Sequence, residues 1–177
     1  DWSSDVCSSD LLGQINMIKK IYLDMDGVLC YFEKRWQELY NETPIASRDR
    51  KEFTANWDHF CTTGQFETLD WFPGGQDLLK FIRKYDVDVE MLTSSGGKKY
   101  HDLVANQKKV WLKKQGIAYK PNVVPGRKHK ADYAKPDVIL IDDTEDIITA
   151  FNEAGGIGIL HKDIGETLQY LKALLSE

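Results

Sequence analysis

From Ile18 onward, short apolar runs alternate with stretches in which apolar residues recur every three or four positions. Ile18 to Leu23 is a compact apolar run closed by a turn at Gly27, which predicts a buried first strand. Tyr31 to Tyr40 places Phe32, Trp36, Leu39 and Tyr40 at helical spacing opposite Glu33, Lys34 and Arg35, the pattern of an amphipathic helix. Between Asn41 and Asp70 the periodicity loosens into short aromatic-rich pieces broken by Pro44 and Gly64, read as a helical insertion rather than core sheet. Regular alternation then resumes. A helix is predicted over Gln76–Tyr85, a strand over Val87–Leu92, and a long helix marked by Leu103, Val104, Gln107, Val110, Trp111 and Lys114 and closed by Gly116. Strands at Val123–Val124, Asp137–Ile141 and Ile157–Leu160 follow, with helices at Glu145–Ala154 and Glu166–Leu175.

Strands and helices alternating over this length predict an α/β fold, a parallel sheet with helices on both faces. The unbroken run Val138-Ile139-Leu140-Ile141 suits a strand buried on both sides. In such sheets ligands bind where the carboxyl ends of the strands converge. Three strands here end in polar functional groups: Asp24 and Asp26, Thr93 and Ser94, Asp142 and Asp143. One shared site explains all three.

Composition narrows the function classes. The formal charge of -5 gives no electrostatic case for duplex nucleic acid or an anionic membrane surface, and no apolar run reaches transmembrane length. Residues 1–11 lack periodicity and repeat Ser-Ser-Asp; they look like a translated sequencing adapter. Residues 1–16 are therefore read as a non-native leader, Met17 as the start, and the remaining length of about 160 residues as one core with a small appended layer. No secretory leader is visible, so a cytoplasmic protein is expected. Cys30 and Cys61 have no CxxC spacing and read as free thiols, and His59, His101, His129 and His161 show no ligand spacing and are assigned no metal.

Asp24 and Asp26 lie one residue apart where the first strand gives out, so on an extended backbone both carboxylates share a face. Like charges that close require a cation, or one retained proton. Taken singly, each motif has an ordinary alternative. Asp-x-Asp-Gly opens calcium loops, but the position eleven residues after Asp24 is Arg35 where such a loop needs Glu, and a strand precedes. Thr93-Ser94 and Asp142-Asp143 could simply cap the helices that follow them. Arg127-Lys128-His129-Lys130 is either a solvated loop or the source of a lysine that reaches the acidic cluster, as a phosphate substrate would require.

In order and context, Asp24-Met25-Asp26-Gly27-Val28-Leu29, Leu92-Thr93-Ser94, and Lys130 ahead of Ile139-Leu140-Ile141-Asp142-Asp143 resemble the four motifs of the haloacid dehalogenase-like phosphatase superfamily. Phe32-Glu33 and Trp71-Phe72-Pro73-Gly74-Gly75 sharpen the resemblance toward the 5'(3')-deoxyribonucleotidases, although Ser94-Ser95 stands where Ser-Pro is common in that family. The resemblance implies a three-layer, Rossmann-like parallel sheet with a small helical cap after the first strand: core at 17–30 and 72–177, cap at 31–71. It further implies Asp24 as covalent nucleophile and Asp26 as general acid and base. Mg²⁺ would be held by the Asp24 carboxylate, the Asp26 main-chain carbonyl and Asp142. Thr93, Ser94 and Lys130, chosen over Lys128, would bind the substrate phosphate.

The expected activity is that of a Mg²⁺-dependent phosphomonoesterase acting through an aspartyl-phosphate on a small phosphorylated substrate, a (deoxy)nucleoside monophosphate. The alternatives are a phosphatase for another small metabolite or a polynucleotide end, and a catalytically silent phosphate- or metal-binding module. A homodimer is left open. The aromatics Trp36, Tyr40, Phe53, Trp57, Phe60 and Phe66 of the insertion could stack a base, though most are expected to form the insertion's own small core.

Overall fold

The computed structural model describes residues 17–44 and 49–176. The leader read at 1–16 and residues 45–48 of the expected cap lie outside them. Five strands form one parallel sheet: β1 (Lys20–Leu23), β2 (Asp88–Ser94), β3 (Lys120–Val124), β4 (Val138–Asp142) and β5 (Ile157–Leu160), in the order β3-β2-β1-β4-β5. The order reverses at β1. Its Leu23 pairs with Met91 on one side and Ile141 on the other, so the chain leaves β1 beside the last residues of β4 and of β2, which runs three residues further.

The helices are α1 (Phe32–Tyr40), α2 (Arg50–Thr62), α3 (Gly75–Ile82), α4 (His101–Lys114), α5 (Glu145–Glu153) and α6 (Ile164–Leu175), with 3-10 turns at Gln65–Thr68 and Arg127–Tyr133. Period-2 alternation sorts the core into two halves. Ile21, Leu23, Met91, Ile139 and Ile141 pack with Leu78, Leu79 and Ile82 of α3, Val104 and Trp111 of α4, and Leu171 of α6. Tyr22, Leu92, Val138 and Leu140 face the other way, onto Ile147, Ile148 and Phe151 of α5. The result is the expected three-layer α/β sandwich.

The periodicity of α4 misleads in one respect. Leu103 is 43% exposed, and the buried stripe is Val104, Gln107, Lys108 and Trp111. The helix is turned so that two polar side chains face inward, because both have partners there. Gln107 donates to the Cys61 carbonyl at 2.6 Å and accepts from the Phe66 N–H at 3.2 Å, while Trp111 donates to the Leu69 carbonyl at 2.8 Å. These bonds fasten the segment after α2 to the sandwich.

The aromatics of the insertion between β1 and α3 pack on one another but form no separate core: they are continuous with the apolar cluster on that face of the sheet. Trp36, Phe60 and Phe66 are buried and pack with Phe32, Phe53 and Trp57 through tilted and edge-on contacts. Trp57 sits over Gly96, where a Cβ would lie 2.6 Å from the indole, and Gly96 adopts φ +83°. Beside it, Asp58 accepts from the Tyr100 hydroxyl at 2.7 Å and from Lys99 at 3.2 Å, so α2 leans on the loop that follows β2. Cys30 and Cys61 are free and buried, as read from the sequence.

Candidate active site

The chain leaves β1 at Asp24, whose N–H still donates to the Ile141 carbonyl at 3.0 Å. It then coils tightly: the Met25 carbonyl accepts from Val28, Leu29 and Cys30, and Gly27 turns with φ +81°. A Cβ at Gly27 would fall 2.0 Å from Asp143 Oδ2, so only glycine lets this turn pass under the end of β4.

Asp24 is buried; its Oδ1 accepts from the Met25 N–H at 2.8 Å and lies 3.1 Å from Lys130 Nζ. The same ammonium donates to Asp142 Oδ2 at 2.7 Å. Lys130 reaches this position because Arg127–Tyr133 forms a 3-10 turn that aims one of its lysines inward, instead of the solvated loop that was one reading of the sequence. Burial alone would lower the lysine's pKa, but the Asp24 and Asp142 carboxylates outweigh it and hold it raised. Burial pushes the Asp24 carboxyl well up, and Asp142 adds to the effect while Lys130 opposes it. The Asp143 carboxyl is pushed up to about 6 by burial and by Asp142.

Asp26 has different company. Its Oδ2 accepts from Lys108 Nζ at 2.9 Å, and that ammonium also donates to Thr93 Oγ1 at 2.6 Å and to the Ser94 carbonyl at 2.9 Å. The other oxygen, Asp26 Oδ1, is buried and has no hydrogen-bond partner among the described residues. Two carboxylates one residue apart are thus held by two separate lysines.

Carboxylate oxygens of Asp24, Asp142 and Asp143 lie within 4.8 Å of one another, the donor set and spacing a hard divalent cation takes. Charge agrees. The four carboxylates of Asp24, Asp26, Asp142 and Asp143 share two directly bonded ammonium groups, Lys108 and Lys130, and Asp143 is paired with neither.

A cavity of about 480 Å³ opens over this cluster, lined on its acidic floor by Asp24, Asp26 and Asp143 and above by Ser94, Lys130, Arg127 and the aromatic rings of Tyr31, Phe32 and Phe72. All six residues expected at the site therefore lie at one end of the sheet. Asp24, Asp26, Ser94 and Lys130 line the cavity, whereas Thr93 and Asp142 sit behind it, both fully buried. Lys128 lines a different depression and Lys130 alone of the pair meets the carboxylates. None of the six insertion aromatics singled out in the sequence borders the cavity; Tyr31 and Phe32, at the start of α1, do.

A family model described as 5' nucleotidase, deoxy (pyrimidine), cytosolic type C protein (NT5C) matches residues 16–164. The chain belongs to this family. It is a nucleotidase-type phosphoric monoester hydrolase with a haloacid dehalogenase-like fold. Among solved structures, a hydrolase from Streptococcus pneumoniae TIGR4 is 18% identical with TM-score 0.53, covering 88% of this chain and 99% of its own. A protein from Thermotoga maritima assigned as a beta-phosphoglucomutase is 16% identical with TM-score 0.51, covering 89% and 100%. At these identities the likeness is one of fold. Comparison with curated proteins finds no match. Among the described residues no helix is long and apolar enough to cross a membrane.

Lys108 and Asp143 escaped the sequence reading as site residues. Asp143 is half of the strand-end pair Asp142-Asp143, of which the family resemblance implies only Asp142 as a ligand. Lys108 gave no signal, because a lysine within an amphipathic helix reads as part of the solvated face.

Proposed function

We propose that this nucleotidase is Mg²⁺-dependent, acts in the cytoplasm on nucleoside monophosphates, deoxyribonucleotides in particular, and works through an aspartyl-phosphate on Asp24. The observation that carries the proposal is the unequal setting of the two carboxylates after β1. Asp24 lies among Asp142 and Asp143 with Lys130 the one cation beside it, whose ammonium opposes the effect of burial and of Asp142, and Asp26 is held by a separate lysine, Lys108.

An Asp24 carboxylate oxygen attacks phosphorus while the bond from phosphorus to the ester oxygen breaks. Asp26 gives its proton to that leaving oxygen. In the second half Asp26 takes a proton from water, the water oxygen bonds to phosphorus, and the Asp24 carboxylate leaves. Lys108, bonded to one Asp26 oxygen, orients the carboxyl that carries the proton. Lys130 and the Ser94 hydroxyl face the transferring oxygens from the cavity wall, and Thr93, which accepts from Lys108, has its own O–H left to donate. Asp24, Asp142 and Asp143, with the main-chain carbonyl of Asp26, would hold Mg²⁺, which offsets the crowding of carboxylates and the charge of the phosphate. Tyr31, Phe32 and Phe72 supply flat apolar surface for a base.

The test is hydrolysis of an aryl phosphate with Mg²⁺ and with EDTA, by the wild type and by Asp24→Asn. Mg²⁺-dependent turnover lost in Asp24→Asn is expected; turnover in EDTA, or turnover that survives the substitution, overturns the mechanism. A panel of 5'- and 3'-(deoxy)nucleoside monophosphates against sugar phosphates reads the substrate, and preference for sugar phosphates overturns that part.

A further inference from the structure

Four strand ends, not three, contribute to the cavity. His161 is the first residue past β5, its N–H donates to the Asp142 carbonyl at 2.8 Å, and it lines the cavity although only 3% exposed. Its ring is held from two sides. Nδ1 is hydrogen-bonded to Thr167 Oγ1 at 2.7 Å, and the Phe72 ring meets the imidazole edge-on at a centroid distance of 6.2 Å.

The second ring nitrogen has no partner among the described residues, and it is absent from the fully buried polar atoms that lack one, so it reaches the accessible space that the ring borders. That space is the cavity. A buried polar atom fixed in direction and left open to a substrate pocket is a recognition element awaiting a ligand.

Position and chemistry narrow what it recognises. β5 lies two strands from β1, so the imidazole borders the cavity from the β4–β5 side, away from the strand that carries Asp24. Beside it on the same cavity lies Phe72, whose ring meets the imidazole edge-on. With Nδ1 engaged by a hydroxyl, Nε2 is a donor in one tautomer and an acceptor in the other. A hydroxyl can answer either, as it donates and accepts, whereas a phosphate oxygen can only accept.

We infer that His161 is a specificity-determining residue, whose Nε2 hydrogen-bonds a ring hydroxyl of the substrate's sugar while Phe72 packs against the same group. The inference rests on the phosphomonoesterase reading above and adds to it the part of the substrate that this wall reads.

The experiment compares four substrates: a 2'-deoxynucleoside 5'-monophosphate, its 2',3'-dideoxy analogue, 2-deoxyribose 5-phosphate and p-nitrophenyl phosphate. The wild type is expected to show a KM about fivefold lower for the deoxy than for the dideoxy nucleotide, the size of one net hydrogen bond. His161→Gln should raise KM about fivefold for the deoxynucleotide and for deoxyribose phosphate, keep kcat within about twofold, and leave the dideoxynucleotide and the aryl phosphate unchanged. Thr167→Val, which unties Nδ1 without entering the cavity, should move the same two substrates in the same direction by less. Equal wild-type KM for the deoxy and dideoxy nucleotides overturns the inference, and needs no variant. So does a His161→Gln effect shared by all four substrates. Failure of the nucleotide assignment shows elsewhere, as wild-type preference for deoxyribose phosphate over the nucleotide; failure of the phosphatase reading shows as no turnover of any of them.

Discussion

Lys108 Nζ lies 2.9 Å from Asp26 Oδ2 and 2.6 Å from Thr93 Oγ1, joining the middle of α4 to the ends of β1 and β2. The ammonium is itself almost wholly buried and rests 5.3 Å from the Phe66 ring centroid, on the edge of the aromatic insertion. One side chain therefore touches the proposed proton carrier, the strand end beside it and the insertion above it. Lys108→Met keeps the length of the stem and removes the charge. It should lower kcat ~10²-fold, within the range a positioned acid contributes, with KM changed by only a few-fold. A rise in KM with kcat intact would place Lys108 in substrate binding instead; steady-state kinetics on one nucleotide separates the two.

The contrast between Lys108 and the carboxylates shows what the chain discloses by itself. Asp24, Asp26 and Asp142 were legible because strands place consecutive side chains predictably and the apolar run before each acid marks where the strand gives out. Parallel pairing then brings those ends level without further information. Lys108 lies mid-helix, and its inward direction depends on a rotation of α4 that Gln107 and Trp111 set by hydrogen bonds to the insertion. Those partners are remote in sequence, and Leu103 offered a misleading apolar stripe. Phe32 and Tyr31 could not be told from the other aromatics for the same reason: which ring faces a cavity is decided by how the insertion packs, as with Trp36 and Phe60, which bury each other.

Lys130 is the counter-ion of Asp24 and Asp142 within the protein itself. Replacing it with Met leaves two buried carboxylates facing each other, and breaking such a pair costs ~3 kcal/mol or more. A clear drop in Tm in EDTA is expected, with a larger recovery on adding Mg²⁺ than the wild type shows. The pH sign follows from Asp24, whose folded pKa is already raised by burial and Asp142 and rises further without the lysine. A carboxyl raised on folding stabilises at low pH and loses that contribution as pH climbs through its folded pKa. Lys130→Met should therefore melt higher at pH 5 than at pH 8. Thermal melts at both pH values, with and without the metal, check this.

Gly27 and Gly64 share a left-handed backbone, φ +81° and +72°, yet their surroundings differ. Among the described residues nothing lies within 4 Å of a Cβ at Gly64, while one at Gly27 meets Asp143 Oδ2 at 2.0 Å. Gly64→Ala should cost only the conformational term, ~1–2 kcal/mol, and spare activity. Gly27→Ala carries the same term plus displacement of a carboxylate from the Asp24, Asp142 and Asp143 cluster, so metal affinity should fall along with Tm. Titration of Mg²⁺ by calorimetry on both variants distinguishes a strained turn from a disturbed site.

His161 gives the pH dependence its second limb. Burial lowers its pKa below the ordinary histidine value, with Asp163 opposing only in part. The unfolded chain thus takes up a proton near pH 6.5 that the folded chain refuses until lower pH. Stability from this group is present above pH 6.5 and lost as pH falls through the folded pKa, opposite in sign to the Asp24 contribution. The hydrogen bond from Nδ1 to Thr167 does not reverse this, because a hydroxyl satisfies the neutral ring as well as the charged one. Melts of the wild type should show Tm declining between pH 7 and pH 5.5 by more than those of His161→Gln, whose side chain does not titrate. A parallel decline in the two proteins would mean that the imidazole protonates freely through the open side of its cavity, and that the ring is less fixed there than its contacts with Thr167 and Phe72 require.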